Sequence, residues 1–237
     1  MAPGAAWTPA ALARRQGIVH KNFMLTYIYV SVIGIAFLTS LTVWRRGGPA
    51  HLRFFSVLLG LDFCVEGVAI WMMKSNVKNA LLYNTFMLVE YWSYGYFFYR
   101  IIEFGRIRRI IQFFLFAFPV YWILAVSLVS WHRWNSYVFN GGSLCTICFA
   151  CVYYYQLFTR PDPVRLQRQP EYWIATGIML FYCCVMPLLS MLNFLNLNFP
   201  VIGKLFIPAL DILNIILYSF FIYAYLCRLT TKRSWSQ

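Results

Sequence analysis

Seven apolar runs recur along this chain, at residues 23–44, 53–73, 80–102, 110–131, 138–158, 172–195 and 201–227. Each has roughly the 20 residues that carry an α-helix across the hydrocarbon core of a bilayer. No other feature narrows the fold as much. In lipid every backbone N–H and C=O needs a partner within the protein, which leaves helices or a closed barrel. Barrel strands are shorter and alternate in polarity, and these runs do neither. The sequence therefore predicts an all-α polytopic integral membrane protein, a single seven-helix transmembrane bundle. Residues 1–22 form an N-terminal tail, 23–227 the transmembrane domain and 228–237 a basic tail. The connections are short, so consecutive spans are expected to be neighbours.

The lipid bilayer is the first partner this implies. Only 11% of the 237 residues are charged, against about 25% in soluble domains. The net charge of +13 does not point to nucleic acid, because the basic residues fall between apolar runs instead of in one patch. They read as topology determinants. Arg45, Arg46, Arg53, Arg100, Arg106, Arg108, Arg109, Arg160, Arg165, Arg168, Arg228, Lys232 and Arg233 collect on one side. Arg14, Arg15, Lys21, Lys74, Lys78, Arg133 and Lys204 collect on the other. The excess places the N-terminus outside and the C-terminus in the cytoplasm. Residues 1–22 lack the apolar stretch of a cleavable leader, so none is expected. Trp44, Trp71, Trp131 and Trp173 stand at span ends, as interfacial anchors do. Trp92 and Trp122 fall within spans and are read as packing. Pro119 and Pro187 lie mid-span, where each removes a backbone donor and is expected to kink its helix.

The costly residues are the informative ones. The chain has seven acids, and Asp62, Glu66, Glu90 and Asp211 lie inside apolar runs. An ionised acid at the bilayer centre costs about 2.5–3.5 kcal/mol on insertion scales. Asp62 and Glu66 are four positions apart, on one face of a helix. Such groups must turn into the bundle, find partners or hold protons. No lysine or arginine sits mid-span to pair with them, and Lys204 is the nearest cation. The third run carries Asn84, Glu90 and Tyr94. The sixth carries Ser190 and Asn193. The seventh carries Asp211, Asn214 and Tyr218 at i, i+3 and i+7. A single polar stripe on a helix in lipid faces its neighbours. The candidate ligand- or proton-binding residues are therefore Asp62, Glu66, Asn84, Glu90, Tyr94, Asn193, Asp211, Asn214 and Tyr218. The plainer reading of each is helix-to-helix glue, worth about 0.6 kcal/mol per hydrogen bond in membrane bundles.

Other chemistries find little support. Cys145, Cys148 and Cys151 have the spacing C-x2-C-x2-C, but metal sites of that kind lie in loops. Core packing is expected of these thiols. His20, His51 and His132 lie in the tail or loops, so no histidine joins the acids around a metal. No nucleophile-elbow, Walker or dinucleotide motif occurs. The topology is similar to that of rhodopsin-like proteins, and Glu90 and Asp211 resemble counter-ions. Such proteins hold retinal on a lysine in the middle of the last span. Here Ile207 and Ile215 flank Asp211 by one turn, and no mid-span lysine exists. No cofactor is expected, and no metal.

Two readings of function remain. In the first, a small ligand or a proton enters from outside, meets the acids and shifts helix packing. A cytoplasmic protein then reads the change at Arg100, Arg106, Arg108 and Arg109. In the second, the acids drive proton-coupled transport of a small solute. An intramembrane hydrolase lacks a nucleophile or metal set, so an enzyme is not the expectation. The chain resembles small seven-span proteins of bacterial genomes, which implies a bacterial cytoplasmic membrane.

Overall fold

The computed structural model describes residues 9–45, 47–75, 77–129, 134–159, 166–198 and 200–233. Side chains are described within 24–45, 47–75, 77–128, 134–159, 166–190 and 208–228. The elements are α1 (Pro9–Ser40), a short α2 (Thr42–Arg45), α3 (Ala50–Lys74), α4 (Ala80–Ile101), α5 (Gly105–Val129), α6 (Ser136–Thr159), α7 (Pro170–Asn198) and α8 (Pro200–Arg233). One 3-10 turn, Leu166–Arg168, precedes α7. No strand occurs among the described residues. Prolines begin α1, α7 and α8, the position where a missing N–H costs nothing. Gly47 has φ 63° and makes the turn between α2 and α3, which a residue with a Cβ adopts only under strain.

Among the described residues six stretches are long and apolar enough to cross a membrane. They are Met24–Arg45, Ala50–Lys74, Gly105–Leu128, Ser136–Thr159, Pro170–Ser190 and Pro208–Arg228. This is a multi-pass arrangement suited to a bilayer. The expected third span, α4, is long enough at 22 residues but is not among the six. Tyr83, Tyr91, Tyr94, Tyr96 and Tyr99, with Asn84 and Glu90, dilute its apolar content.

The helices close into a ring. α1 packs on α3, α3 on α4, α4 on α6, α6 on α7, α7 on α8, and α8 returns to α1. α5 stands outside the ring, against α4 and α6. Its outer face, with Phe113, Phe116 and Leu128, is strongly exposed. Contacts at the helix ends fix two poles. Lys74 of α3 lies over the Tyr27 ring of α1 at 5.7 Å. At the opposite pole His51, at the start of α3, meets Glu171 at the start of α7.

The interior follows from helical spacing. On α3, Leu52, Phe55, Ser56, Leu59, Asp62 and Ala69 are buried, a stripe at steps of three, four and seven. The outer face keeps Val57, Leu61, Phe63 and Val68 exposed. At Gly142 of α6 an added Cβ would lie 2.5 Å from the Tyr91 ring. Glycine there lets α4 press its tyrosine flat against the α6 backbone.

Several expectations need correcting. Trp122 is buried as expected, but Trp92 is 37% exposed. It stacks on Tyr96 at 5.9 Å, forming an outward aromatic pair. Cys148 and Cys151 are exposed and Cys145 is partly so. Thiols three apart advance only about 300° per step on a helix of 3.6 residues per turn, so this series drifts off the buried face. All seven cysteines are free. Pro119 and Pro187 sit inside continuous helices, and Pro208 is a further interior proline. Trp131, His20, His132 and Lys204 lie outside the described side chains.

Candidate functional site

Three helices, α3, α4 and α8, bring the buried acids to one axis. Nearest the Lys74 pole is Asp211 on α8, only 7% exposed. Its Oδ2 accepts a hydrogen bond from Thr26 of α1 at 2.9 Å. Next comes Glu66 on α3, whose Oε2 accepts from Tyr83 of α4 at 3.2 Å. Tyr29 of α1 is its second hydrogen-bonding neighbour. One turn further in lies Asp62, 4% exposed, with Tyr218 of α8 as its hydrogen-bonding neighbour. Glu90 of α4 completes the series. Its Oε1 accepts from Tyr94, on its own helix, at 3.1 Å. The same oxygen accepts from Tyr182 of α7 at 2.9 Å.

The acids sense one another. Asp62 interacts electrostatically with Glu90 and with Glu66, Glu66 with Asp211, and Glu90 with Glu66. The network reaches α6 through Tyr91, whose hydroxyl lies 2.8 Å from Ser143 Oγ and 3.1 Å from the Phe139 carbonyl. Every ring helix therefore gives a polar side chain to one connected interior. The arrangement is acid and phenol alternating. A phenol donates one hydrogen bond and accepts others, and a protonated acid does the same. Such a chain can hold a proton at any of several carboxyl oxygens, or turn its oxygens onto a bound cation. Among the described residues no His, Cys, Asp or Glu cluster is arranged to hold a metal ion.

The chain of polar groups ends abruptly. Below Tyr94 and Tyr218 sit Phe55 of α3, Phe97 of α4 and Phe221 of α8, each 0% exposed. Phe55 is 5.3 Å from Phe97 and 5.0 Å from Phe221, centroid to centroid. The plug touches the acid cluster through Phe55–Tyr94 at 6.2 Å and Tyr218–Phe221 at 5.6 Å. On its far side Phe97 meets the His51 ring edge-on at 6.1 Å.

A second, smaller polar cluster lies beyond it. His51 Nε2 and Glu171 Oε1 are 2.8 Å apart, the one ion pair among the described residues. Arg228 of α8 lies within electrostatic range of Glu171. Tyr225 of α8 donates to the Leu52 carbonyl of α3 at 3.1 Å, and Ser56 donates to Ser40 of α1 at 3.2 Å. These contacts bind the ends of α1, α3, α7 and α8 together.

Of the residues expected at the site, Asp62, Glu66, Glu90, Tyr94, Asp211 and Tyr218 come together. Asn84 does not join them. It is turned towards α5 and α6, where its carbonyl accepts Trp122 Nε1 at 2.7 Å and its Oδ1 accepts the Asn135 backbone N–H at 3.2 Å. It is one position from Tyr83, and 100° of helical rotation sends the two side chains to different neighbours. Asn214 is partly buried one turn from Asp211, and its side chain makes no hydrogen bond among the described residues. Ser190 is exposed and bonds Asn140 at 2.9 Å. Asn193 lies outside the described side chains. The sequence reasoning overlooked Thr26, Tyr29 and Tyr182. Their signal was position: tyrosines well inside an apolar run are too deep for interfacial anchors and need a polar partner. No protein-family model matches the chain, nor does any curated protein or solved structure.

Proposed function

We propose that the protein is a membrane sensor or binding protein that responds to a proton or a small cationic ligand. The bundle has seven spans, α4 being the seventh, in a bacterial cytoplasmic membrane. The Lys74 pole faces outside and the His51 pole faces the cytoplasm. Supporting this, α4 lies between helices that are themselves apolar enough to cross. Arg45, Arg53, Arg100, Arg106, Arg108, Arg109, Arg168 and Arg228 all belong to the His51 side of the chain, as the positive-inside rule asks.

One observation carries the reading. The acid–phenol chain reaches from Asp211 to Glu90 and stops at an aromatic plug of Phe55, Phe97 and Phe221. A charge entering at Glu66 or Asp211 has no polar step onward. It can act across the plug only by moving the packing. The plug rests on the His51 ring, and His51 holds Glu171. A ligand that reorients Tyr94 or Tyr218 therefore shifts the ion pair at the cytoplasmic pole. A soluble partner on Arg100, Arg106, Arg108 and Arg109 reads the change. The ligand does work only through its different affinity for the two packings.

The test is a pH jump or a panel of small amines applied to one side of proteoliposomes. Hydrogen exchange is then followed at residues 48–52 and 166–171, around the ion pair. Exchange should change without proton flux, and Asp62→Asn with Glu90→Gln should abolish the change. Steady proton flux, stopped by Glu90→Gln, would replace the sensor with a proton-coupled transporter. Silence in both measurements would leave the acids as helix glue.

A further inference from the structure

A second feature lies far from the acids, on the outer wall. Between the start of α5 and the outward face of α6 is a groove of about 570 Å³, lined by Phe104, Gly105, Arg106, Ile107, Cys151, Val152 and Tyr155. That volume lies within the roughly 300–1,000 Å³ of small-ligand sites. The groove's walls are apolar apart from Arg106. Phe104 and Tyr155 form its mouth, with ring centroids 6.1 Å apart. Tyr155 is 65% exposed and Phe158 beside it is 72% exposed. Exposed aromatics one turn from the end of an apolar helix mark the boundary between hydrocarbon and headgroups. The groove therefore spans that boundary.

Its charge is one-sided. Residues 100–109 hold four arginines and one glutamate. Arg108 is engaged with the Tyr99 ring at 4.7 Å. Among the described residues, no ion pair involves Arg100, Arg106 or Arg109. Arg109 lies three positions after Arg106, on the same face of α5. The turn that presents them is held rigid. Gln156 of α6, itself buried, accepts the Glu103 backbone N–H at 2.7 Å and donates to the Ile101 carbonyl at 3.3 Å.

We propose that this groove binds an anionic phospholipid, with an acyl chain along Cys151, Val152 and Ile107 and the phosphate on Arg106, assisted by Arg109. A basic pocket open to the bilayer at the positive face selects anionic headgroups over zwitterionic ones. The apolar floor gives the lipid more than a diffuse counter-ion has, because it holds the chain as well as the charge. A soluble phosphate meets only half of this site. Neither the acids nor the plug touches the groove. Arg106 and Arg109 are also assigned to the soluble partner, so lipid retention is measured on the purified chain without that partner, and its outcome is separate from that of the exchange measurement.

The test uses the full chain purified in detergent. Phosphatidylglycerol or phosphatidylcholine is added in equal amount, and retained lipid is counted by native mass spectrometry, with thermal stability measured in parallel. Phosphatidylglycerol should be retained preferentially and should raise the melting temperature. Arg106→Gln should weaken its retention by about fivefold, the effect of one basic residue near a charged surface. Val152→Trp, which fills the groove and leaves every arginine in place, should release the lipid as well. Arg106 is exposed and Val152 is partly buried against the core, so the lipid-free melting temperature is measured to check that each variant keeps its fold. Glycerol 3-phosphate should not compete. Equal retention of the two lipids, wild-type retention in both variants, or full competition by glycerol 3-phosphate would each overturn the proposal.

Discussion

The two halves of the bundle interior are made of different materials. Towards the Lys74 pole, Asp211, Glu66, Asp62 and Glu90 alternate with Thr26, Tyr83, Tyr29, Tyr218, Tyr94 and Tyr182. Below them the same helices offer Phe55, Phe97 and Phe221 with Leu52, Leu58 and Leu59, none more than 2% exposed. The same faces of α3, α4 and α8 carry both. On α3 a single turn separates Leu58 from Asp62. The upper half is held by directional bonds whose geometry depends on where protons sit. The plug in the lower half is held by close packing, which has no such dependence and tolerates few alternatives, with the hydroxyls of Ser56 and Tyr225 bonded to backbone carbonyls beside it. A protein that only needed stability would not require the first. A protein that moved protons across the membrane would have to open the second in part of its cycle.

The sharpest way to break this contrast is to open the lower half. Phe55→Ala removes a ring fully enclosed by Phe97, Phe221 and Tyr94. It should cost about 3–5 kcal/mol, the range for a buried Phe→Ala change, read as a lower unfolding midpoint in detergent. In liposomes it should add a proton leak that Phe55→Leu does not. A tight Phe55→Ala variant would show that the plug is not the barrier.

The upper half is probed by comparing two changes at Glu90. Glu90→Gln keeps an acceptor for Tyr94 and Tyr182 and should cost under about 1 kcal/mol. Glu90→Leu leaves two phenols without their carboxylate partner, and should cost about 1–3 kcal/mol for the unmet donors. Equal costs would mean that the hydrogen bonds to Glu90 do not contribute to stability. A smaller effect belongs to the far pole. His51→Ala removes an ion pair whose side chains are 16% and 22% exposed. The expected loss is about 1 kcal/mol or less, shrinking in high salt. It should nevertheless uncouple residues 166–171 from events at the acids. A response that persists in His51→Ala would route the signal elsewhere.

Much of this was legible beforehand because length and polarity are one-dimensional quantities. Several of the apolar runs match helices closely, as with 53–73 and Ala50–Lys74, whereas 23–44 starts inside α1 and crosses the break at Leu41 into α2. The gathering of acids followed from cost alone: four groups unwelcome in lipid share the only interior available. Direction around a helix was less legible. Asn84 and Tyr83 are adjacent, and nothing in a single sequence says which of them faces α3 and which faces α5. Partners from distant spans were also hidden. Tyr182 reaches Glu90 across 92 positions, and only the ring order of α4, α6 and α7 brings them together. The peripheral place of α5 was not legible, because α6 and α7 are as apolar as α5 and yet belong to the ring.

Asn214 offers the smallest expected effect and the cleanest discrimination between the two halves. It lies between Asp211 and Tyr218 on α8, one turn from the first, yet it is partly exposed and its side chain makes no hydrogen bond among the described residues. A polar amide without a partner at this depth gives the fold nothing that alanine would not. Asn214→Ala should therefore change stability by no more than about 0.5 kcal/mol, measured by thermal unfolding in detergent. A ligand held by Asp211 would meet Asn214 next along the same stripe. In the sensor reading the substitution should then weaken the exchange response at residues 166–171 while leaving the melting temperature alone. Loss of stability instead would place Asn214 within the packed scaffold. An unchanged response would confine the binding surface to the acids and phenols that already touch one another.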